Sequence, residues 1–254
     1  NKIEFLAPQQ TEGKAKATEP EEVLDYVLKK FGFSSILKNK KVLITAGPTI
    51  EYIDPVRIIT NQSSGKTGML LASELISSGA KVTLVYGPGS EKPPKGVKII
   101  KISTSNEIFN VVKKEMQNKF DIVIMAAAIS DYIPENPSKN KIKSSKNKIK
   151  ISLKKAPKII NFIKKYQKNV FLVGFKAEAN IPKNELITLA KKKMNESNAD
   201  MIIANDIGSK RYKKNPENNE VLIIDSNKVI SSGWIKKEKI AKLIIKEIEN
   251  KIKI

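Results

Sequence analysis

Neither histidine nor cysteine occurs in these 254 residues. That double absence excludes a Ser-His-Asp triad, a cysteine nucleophile, an imidazole or thiolate zinc site and a disulfide within the chain. Any general acid or base must be Asp, Glu, Lys or Tyr. Aromatic residues are scarce at 6% and do not alternate with basic ones, as stacking platforms for nucleic acid require. The longest apolar runs, 122–129 and 170–175, fall well short of the ~20 residues a bilayer crossing needs. No secretory pattern opens the sequence, so a soluble, cytoplasmic protein without a membrane partner is expected. Acidic residues number 26 against 47 lysines and arginines, a formal charge of +21. The lysines run from Lys2 to Lys253 and fall mostly on expected helix faces, which reads as solvated surface rather than a specific nucleic-acid footprint.

At 40% hydrophobic residues the chain can bury a substantial core, and one folded unit is expected at this length. Residues 1–40 read as an appendage, irregular at first and then helical over 21–31, opened by Pro20 and closed by Gly32. From Lys41 strands and helices alternate. The run KVLITA, Lys41–Ala46, is a buried strand feeding a loop. Over 64–78, Met69, Leu70, Leu71, Leu75 and Ile76 recur at helical spacing, with Gly79 as the stop. Strands are expected over 81–86, 97–102 and 121–127, with a helix over 106–117. The stretch 134–155 breaks the rhythm with Pro, Asn, Ser and many lysines; alternating Ile149, Ile151 and Leu153 predict an extended arm or β-ribbon. The pattern then resumes with a helix from Pro157, a strand over 170–175, a helix over 183–196 and a strand over 200–204. Short strands over 220–224 and 228–230 and a long helix from Ile235 follow. This order predicts an α/β fold, a Rossmann-like parallel sheet with helices on both faces.

In such sheets ligands bind beyond the carboxyl ends of the strands, and three loops there are chemically loaded. The first runs from Gly47 through Asp54-Pro55-Val56-Arg57 to Asn61 and then Ser63, Ser64, Gly65 and Gly68. Small residues at a helix start leave backbone N–H groups open to an anion, although Ser-Ser-Gly also reads as an ordinary helix start. A P-loop is not expected, because Thr60 stands where its first glycine belongs; the dinucleotide fingerprint is also missing after the first strand. The second loop, after Met125, carries Ala126, Ala127, Ala128 and Asp131, where small side chains admit a ligand and a carboxylate accepts its hydrogen bonds. The third places Phe175 just past a strand end, where it either stacks on a base or joins the core.

Together these segments resemble phosphopantothenoylcysteine synthetase, the phosphopantothenate–cysteine ligase of coenzyme A biosynthesis. The resemblance rests on ITAGPTIEYIDPVRIITNQSSGKTG over 44–68, AAAISDY over 126–132, KIK over 141–143, Ala156-Pro157, VGFKAE over 173–178 and ANDI over 204–207. It covers 41–254, with 1–40 left as a tail and the arm at about 134–155. It implies a CTP-dependent ligase: the carboxylate of 4′-phosphopantothenate becomes an acyl-cytidylate with loss of pyrophosphate, and the amine of L-cysteine displaces CMP. Magnesium accompanies the triphosphate. The resemblance implies that Gly47, Ser63, Ser64, Gly65 and Gly68 surround the triphosphate. Nucleotide contacts are implied for Met125, Ala126, Ala127, Asp131, Lys141, Pro157, Lys158, Ile159, Ile160, Phe175 and Lys193. It further implies that Asn61, with Arg57, meets phosphopantothenate and helps convert the intermediate, and that Lys141 neutralises phosphate charge. Ala127, Ala128 and Asp131 would hold the pantothenate moiety across the interface of a homodimer or higher oligomer, the arm serving dimerisation.

Two departures stand out. The family's second lysine, four residues after the position matched by Lys193, is Ser197 here, with Lys191 and Lys192 as neighbouring substitutes. Residues 5–22 look like the tail of the decarboxylase domain that many bacteria fuse ahead of the synthetase, yet Gln9 stands where that domain's reactive cysteine belongs. Whether a decarboxylase is fused to or associated with this chain stays open. Two other readings stay open as well: a nicotinamide-dependent reductase, suggested by the parallel sheet, and a basic nucleic-acid-binding protein, suggested by the charge.

Overall fold

A strand whose residues are apolar on both faces has to lie inside a sheet covered on both sides, and Lys41–Ala46 (β1) does. In the computed structural model, which describes residues 35–144 and 148–252 together with 9–11, 14–16, 18, 20, 22, 23 and 26, β1 is central to an eight-stranded sheet. The other strands are Lys81–Tyr86 (β2), Lys98–Lys101 (β3), Ile122–Met125 (β4), Phe171–Glu178 (β5), Met201–Asp206 (β6), Leu222–Ile224 (β7) and Val229–Ser231 (β8). Their order is β3-β2-β1-β4-β5-β6-β7-β8. Val42 pairs in parallel with both Val82 and Ile122, so β1 has a neighbour on each side, and the direction of winding reverses between β1 and β4.

Alternation along β1 divides the core in two. Val42, Ile44 and Ala46 pack with Leu71 and Leu75 of helix Lys66–Ser77 (α1) and with Ile240, Ile244 and Ile248 of the last helix. Leu43 faces the other way, toward Ile108 and Val112 of Ser105–Glu115 (α2), Ile160 and Ile163 of Ile160–Tyr166 (α3), and Leu186 and Ala190 of Lys183–Ser197 (α4). The last helix is Lys237–Ile252 (α5). Burying each of these large aliphatic side chains stabilises the fold by about 2 kcal/mol.

The sheet is mostly parallel rather than wholly so. β7 runs antiparallel to β6, and β8 antiparallel to β7. The physical reason is local: Asp225 accepts the N–H groups of Asn227 (2.7 Å) and Lys228 (3.1 Å), a side-chain-stabilised turn that closes a tight hairpin. The connection from β6 to β7 holds the single helical turn Lys210–Lys214 and the short strand Asn218–Asn219, paired antiparallel with Ile235–Lys236, instead of the long helix that usually carries a parallel crossover.

Two of the small antiparallel ribbons outside the central sheet bear on the site. Ile50–Tyr52 pairs antiparallel with Ile58–Thr60 inside what reads from sequence as one long loop. Tyr132–Pro134 pairs antiparallel with Leu153–Lys155, forming the base of the expected arm. The helix expected over 21–31 lies largely outside the described residues, with Pro20, Glu22, Val23 and Tyr26 helical; Gln9 lies in a short strand, Gln9–Thr11, paired with Lys14–Lys16. Among the described residues no helix is long and apolar enough to cross a membrane.

Candidate active site

Where winding reverses, the loops leaving β1 and β4 splay apart and open a crevice; here they are also stitched together just beyond the strand ends. Ala128 donates its N–H to the carbonyl of Gly47 (2.9 Å) and accepts that of Thr49 (3.2 Å). Two fully buried threonine hydroxyls continue the seam: Thr45 Oγ1 accepts the N–H of Ala127 (3.2 Å) and Thr49 Oγ1 that of Ser130 (3.0 Å). A buried hydroxyl must be paired, and here the pairing fixes one loop against the other. Asn61 joins the seam, donating from Nδ2 to the carbonyl of Ala128 at 3.1 Å.

On the β1 side, Ser63, Ser64 and Gly65 lead into α1. Gly65 has φ +88° and Gly47 φ +77°, the left-handed region, and a Cβ on either would lie 2.9 Å from the ring of Tyr86. Gly68 lies so close to β1 that a Cβ would stand 2.4 Å from that of Ala46. The cradle is held from behind: the carbonyl of Ser64 accepts the N–H groups of Ser90 (3.1 Å) and Glu91 (3.3 Å) and faces the hydroxyl of Tyr86 at 3.4 Å. Ser64 Oγ accepts the N–H of Lys66, whereas the N–H groups of Ser63, Gly65, Thr67 and Gly68 have no partner among the described residues. That arrangement suits an anion. Lys66 turns away to an ion pair with Glu217, so the GKT triplet does not work as a P-loop lysine.

On the β4 and β5 side, a cleft is lined by Met125, Ala127, Asp131, Pro157, Lys158, Ile159, Ile160, Phe175 and Lys193, together with Ile129 and Ser130. Most of the residues expected at the base and ribose end of a nucleotide are here in one place; Ala126 is not, since it packs against the core on the α1 face, and Lys141 is not, since it lies on the arm. Lys193 donates to the carbonyl of Phe175 at 2.7 Å. Burial, with the positive charges of Lys158 and Lys176 adding to it, lowers its ammonium to a pKa of about 8. Lys158 pairs with Asp131 at 2.7 Å across the open mouth. Ser197 is buried and donates back to the carbonyl of Lys193, so it offers the cleft nothing. Lys192 points toward Glu196 on the outside. The cations that flank Lys193 are thus Lys158 and Lys176, not its helical neighbours.

Lys141 and Arg57 belong to a third cluster. Asp54, 1% exposed, accepts the N–H groups of Val56 and Arg57 on Oδ1 (2.8 Å each), and on Oδ2 the guanidinium of Arg57 (2.5 Å) and the N–H of Ile142 (3.1 Å). The same Arg57 nitrogen donates to the carbonyl of Ile142 at 3.2 Å. Burial opposes the charge on Asp54, but the N–H groups of Val56, Ile142 and Arg57 and the guanidinium outweigh it and hold the carboxyl at about 2. Lys141 and Lys143 flank that anchored residue and are exposed, without an ion pair among the described residues.

Sequence reasoning placed Asp54 in a chemically loaded loop without giving it a role, and missed Thr45, Thr49 and Tyr86 as site builders. The signal for the threonines was present, a hydroxyl in the midst of a buried strand; for Tyr86 there was none, because its role depends on the fold bringing it behind two distant glycines. Among the described residues no group of three acidic side chains is placed to hold a metal ion.

The chain resembles known proteins along nearly all its length. Residues 37–252 match the DNA/pantothenate metabolism flavoprotein C-terminal domain. The Coenzyme A biosynthesis bifunctional protein CoaBC of Thermococcus kodakarensis is 38% identical over 97% of this chain and 60% of its own length. Among solved structures, the DNA/pantothenate metabolism flavoprotein from Streptococcus pneumoniae superposes with a TM-score of 0.74 at 28% identity, covering 83% of this chain and 99% of that one. The C-terminal domain of a CoaBC protein superposes with a TM-score of 0.71 at 33% identity, over 87% and 99% of the two chains. The chain spans about three fifths of the length of the curated relatives it matches. It belongs to the DNA/pantothenate metabolism flavoprotein C-terminal domain family.

Proposed function

We propose that the chain is a CTP-dependent ligase that joins 4′-phosphopantothenate to L-cysteine. The observation that carries this reading is the convergence at the winding reversal of an amide-lined cradle, a lysine-bearing cleft and Asn61 tied between the two loops. The triphosphate would lie over Gly47 and Ser63 to Gly68, met by backbone amides, and the nucleoside in the cleft against Phe175, with Lys193 and Lys158 supplying positive charge. Magnesium would be carried in on phosphate oxygens, Asp131 being the carboxylate among the residues that line the cleft, since hard cations keep several oxygen ligands of their own.

The carboxylate of phosphopantothenate attacks the α-phosphorus, pyrophosphate leaves, and the uncharged amine of cysteine then displaces CMP from the acyl carbon, losing a proton as the amide forms. This chemistry needs no histidine or thiol on the protein, because positioning and charge stabilisation supply most of the acceleration. Lys141 would offset the negative charge that builds on the phosphates in the first step, and Asn61 would orient the acyl-cytidylate for the second. The arm is proposed as a dimerisation element: Tyr132, Ile149, Ile151 and Leu153 on it and Tyr52, Val56 and Ile58 beside it expose apolar side chains that a second copy would cover. Residues 1–40 are proposed as the tail of an upstream decarboxylase, fused or associated.

Incubation with CTP, magnesium, phosphopantothenate and cysteine should release CMP and pyrophosphate in step with amide formation; no release above background defeats the assignment. Protection of the fold by NADPH and not by CTP in a thermal-shift assay would favour a reductase instead.

A further inference from the structure

Asp54 is a fully buried carboxylate on the Arg57 loop, and it touches neither the cradle nor the cleft; what it joins are two segments distant in sequence. Oδ1 shapes the turn that carries Arg57, while Oδ2 takes one hydrogen bond from Arg57 and one from the backbone of Ile142 in the arm. Arg57 closes the ring through the Ile142 carbonyl. The arm is tied to this loop a second time by the N–H of Ser138 on the carbonyl of Ile53 (2.8 Å), next to Asp54 in sequence.

We propose that Asp54 is a positioning residue that latches the arm to the Arg57 loop, so that Lys141 is presented to the bound phosphates in the same geometry in which Arg57 and Asn61 meet the other substrate. The latch deepens the ligase reading and its catalytic half rests on it. Physically, the backbone of Ile142 is held at its N–H by an anion and at its carbonyl by a cation, the stronger kind of hydrogen bond. Lys141, one residue away, therefore inherits a fixed starting point for its side chain, which reduces the orientational freedom lost when the charge is delivered. The carboxyl's low pKa keeps it an acceptor throughout the working pH range. Arg57 also spends one nitrogen on the latch and keeps its remaining donors for a substrate anion, so loop, arm and substrate meet at one guanidinium.

The test uses the full chain and two variants. Asp54→Asn keeps the shape but turns an acceptor into a donor facing donors. Ile142→Pro deletes the arm's N–H and leaves Asp54 and its loop untouched. Hydrogen exchange at Ile142 should be about tenfold or more faster in Asp54→Asn, reporting a lost local hydrogen bond; an unchanged rate would overturn the latch whatever the enzyme's activity. In single-turnover formation of acyl-cytidylate, each variant should lose about tenfold while the Kd for CTP stays the same, and combining either with Lys141→Gln should add little to the loss from Lys141→Gln alone, the non-additivity of groups acting as a unit. Fully additive losses, or a fall in CTP affinity that tracks the melting temperature, would reduce Asp54 to a structural role and overturn the proposal. A wild-type chain that forms no acyl-cytidylate at all would defeat the ligase reading, with the exchange measurement still deciding the latch. Should Asp54→Asn fail to fold, Ile142→Pro carries the kinetic test.

Discussion

In the proposed reaction the cradle and the arm would meet the same kind of ligand charge with opposite materials. Between Gly47 and Gly68 the protein presents backbone N–H groups, with Lys66 turned away to Glu217, and braces them from behind with Tyr86, Ser90 and Glu91. The arm presents lysines on a segment whose residues 148–155 are all exposed and whose ties to the body are few. A surface of amides works only if it is rigid, because partial charges act at short range and lose their advantage if they must reorganise. A full charge on a long stem tolerates imprecise placement, so it can be brought in from outside the packed body.

That contrast can be broken by exchanging its logic. Lys141→Gln should lower acyl-cytidylate formation by about a hundredfold or more, the scale of removing a group that stabilises developing charge, with unfolding by denaturant unchanged; equal single-turnover rates would remove the arm from the chemistry. Asn61→Asp, by contrast, should let the acyl-cytidylate accumulate. Gly65→Ala should act through structure, costing about 1–3 kcal/mol of stability for a side chain forced into a left-handed backbone and weakening CTP binding in the same variant. A normal melting temperature with normal CTP affinity would show that the cradle has more play than its packing suggests.

Smaller effects sharpen the comparison. Lys193 gives up its proton at about pH 8 in the free protein, and an anion prefers the protonated form. CTP affinity should therefore fall by up to about tenfold as pH rises from 7 to 9, the worth of one charged hydrogen bond, with proton uptake on binding above pH 8. Calorimetry in two buffers of different ionisation enthalpy measures that uptake, and a flat profile would take Lys193 out of the phosphate contact. Smallest is Tyr86→Phe: the hydroxyl also donates to the carbonyl of Glu91 at 2.8 Å, so its loss should cost about 1 kcal/mol of stability and only a few-fold in CTP affinity.

The sheet was legible because its signals are local and redundant. Lys41–Ala46 and Lys81–Tyr86 are bounded by the same residues in sequence and structure, since an apolar run flanked by Gly or polar residues has only one way to be buried. The antiparallel hairpin at the edge was not legible as such, because direction depends on what the connection between β6 and β7 can span rather than on the strands themselves. Nor was the ribbon at 50–60: Ile50, Tyr52 and Ile58 look like loop hydrophobics until their partner strand is seen. At the site, most of the residues proposed for the nucleotide line one cleft, while the parts played by Asp54 and Tyr86 are not written in any motif. Their work is done on backbone atoms of distant segments, a relation that no spacing along the chain encodes.

The N–H of Ala156 bonds to the carbonyl of Asp131 at 2.9 Å, so the arm departs and returns through one gate. Beyond that gate the arm touches the loop of Asp54 through Ser138 and Ile142, but among the described residues it pairs with no strand of the central sheet, which does not sense its length. Closing a longer excursion costs little extra entropy, so its reach is free to lengthen or shorten over generations, and the outermost residues should accept a graft or a trim without disturbing the strands inside.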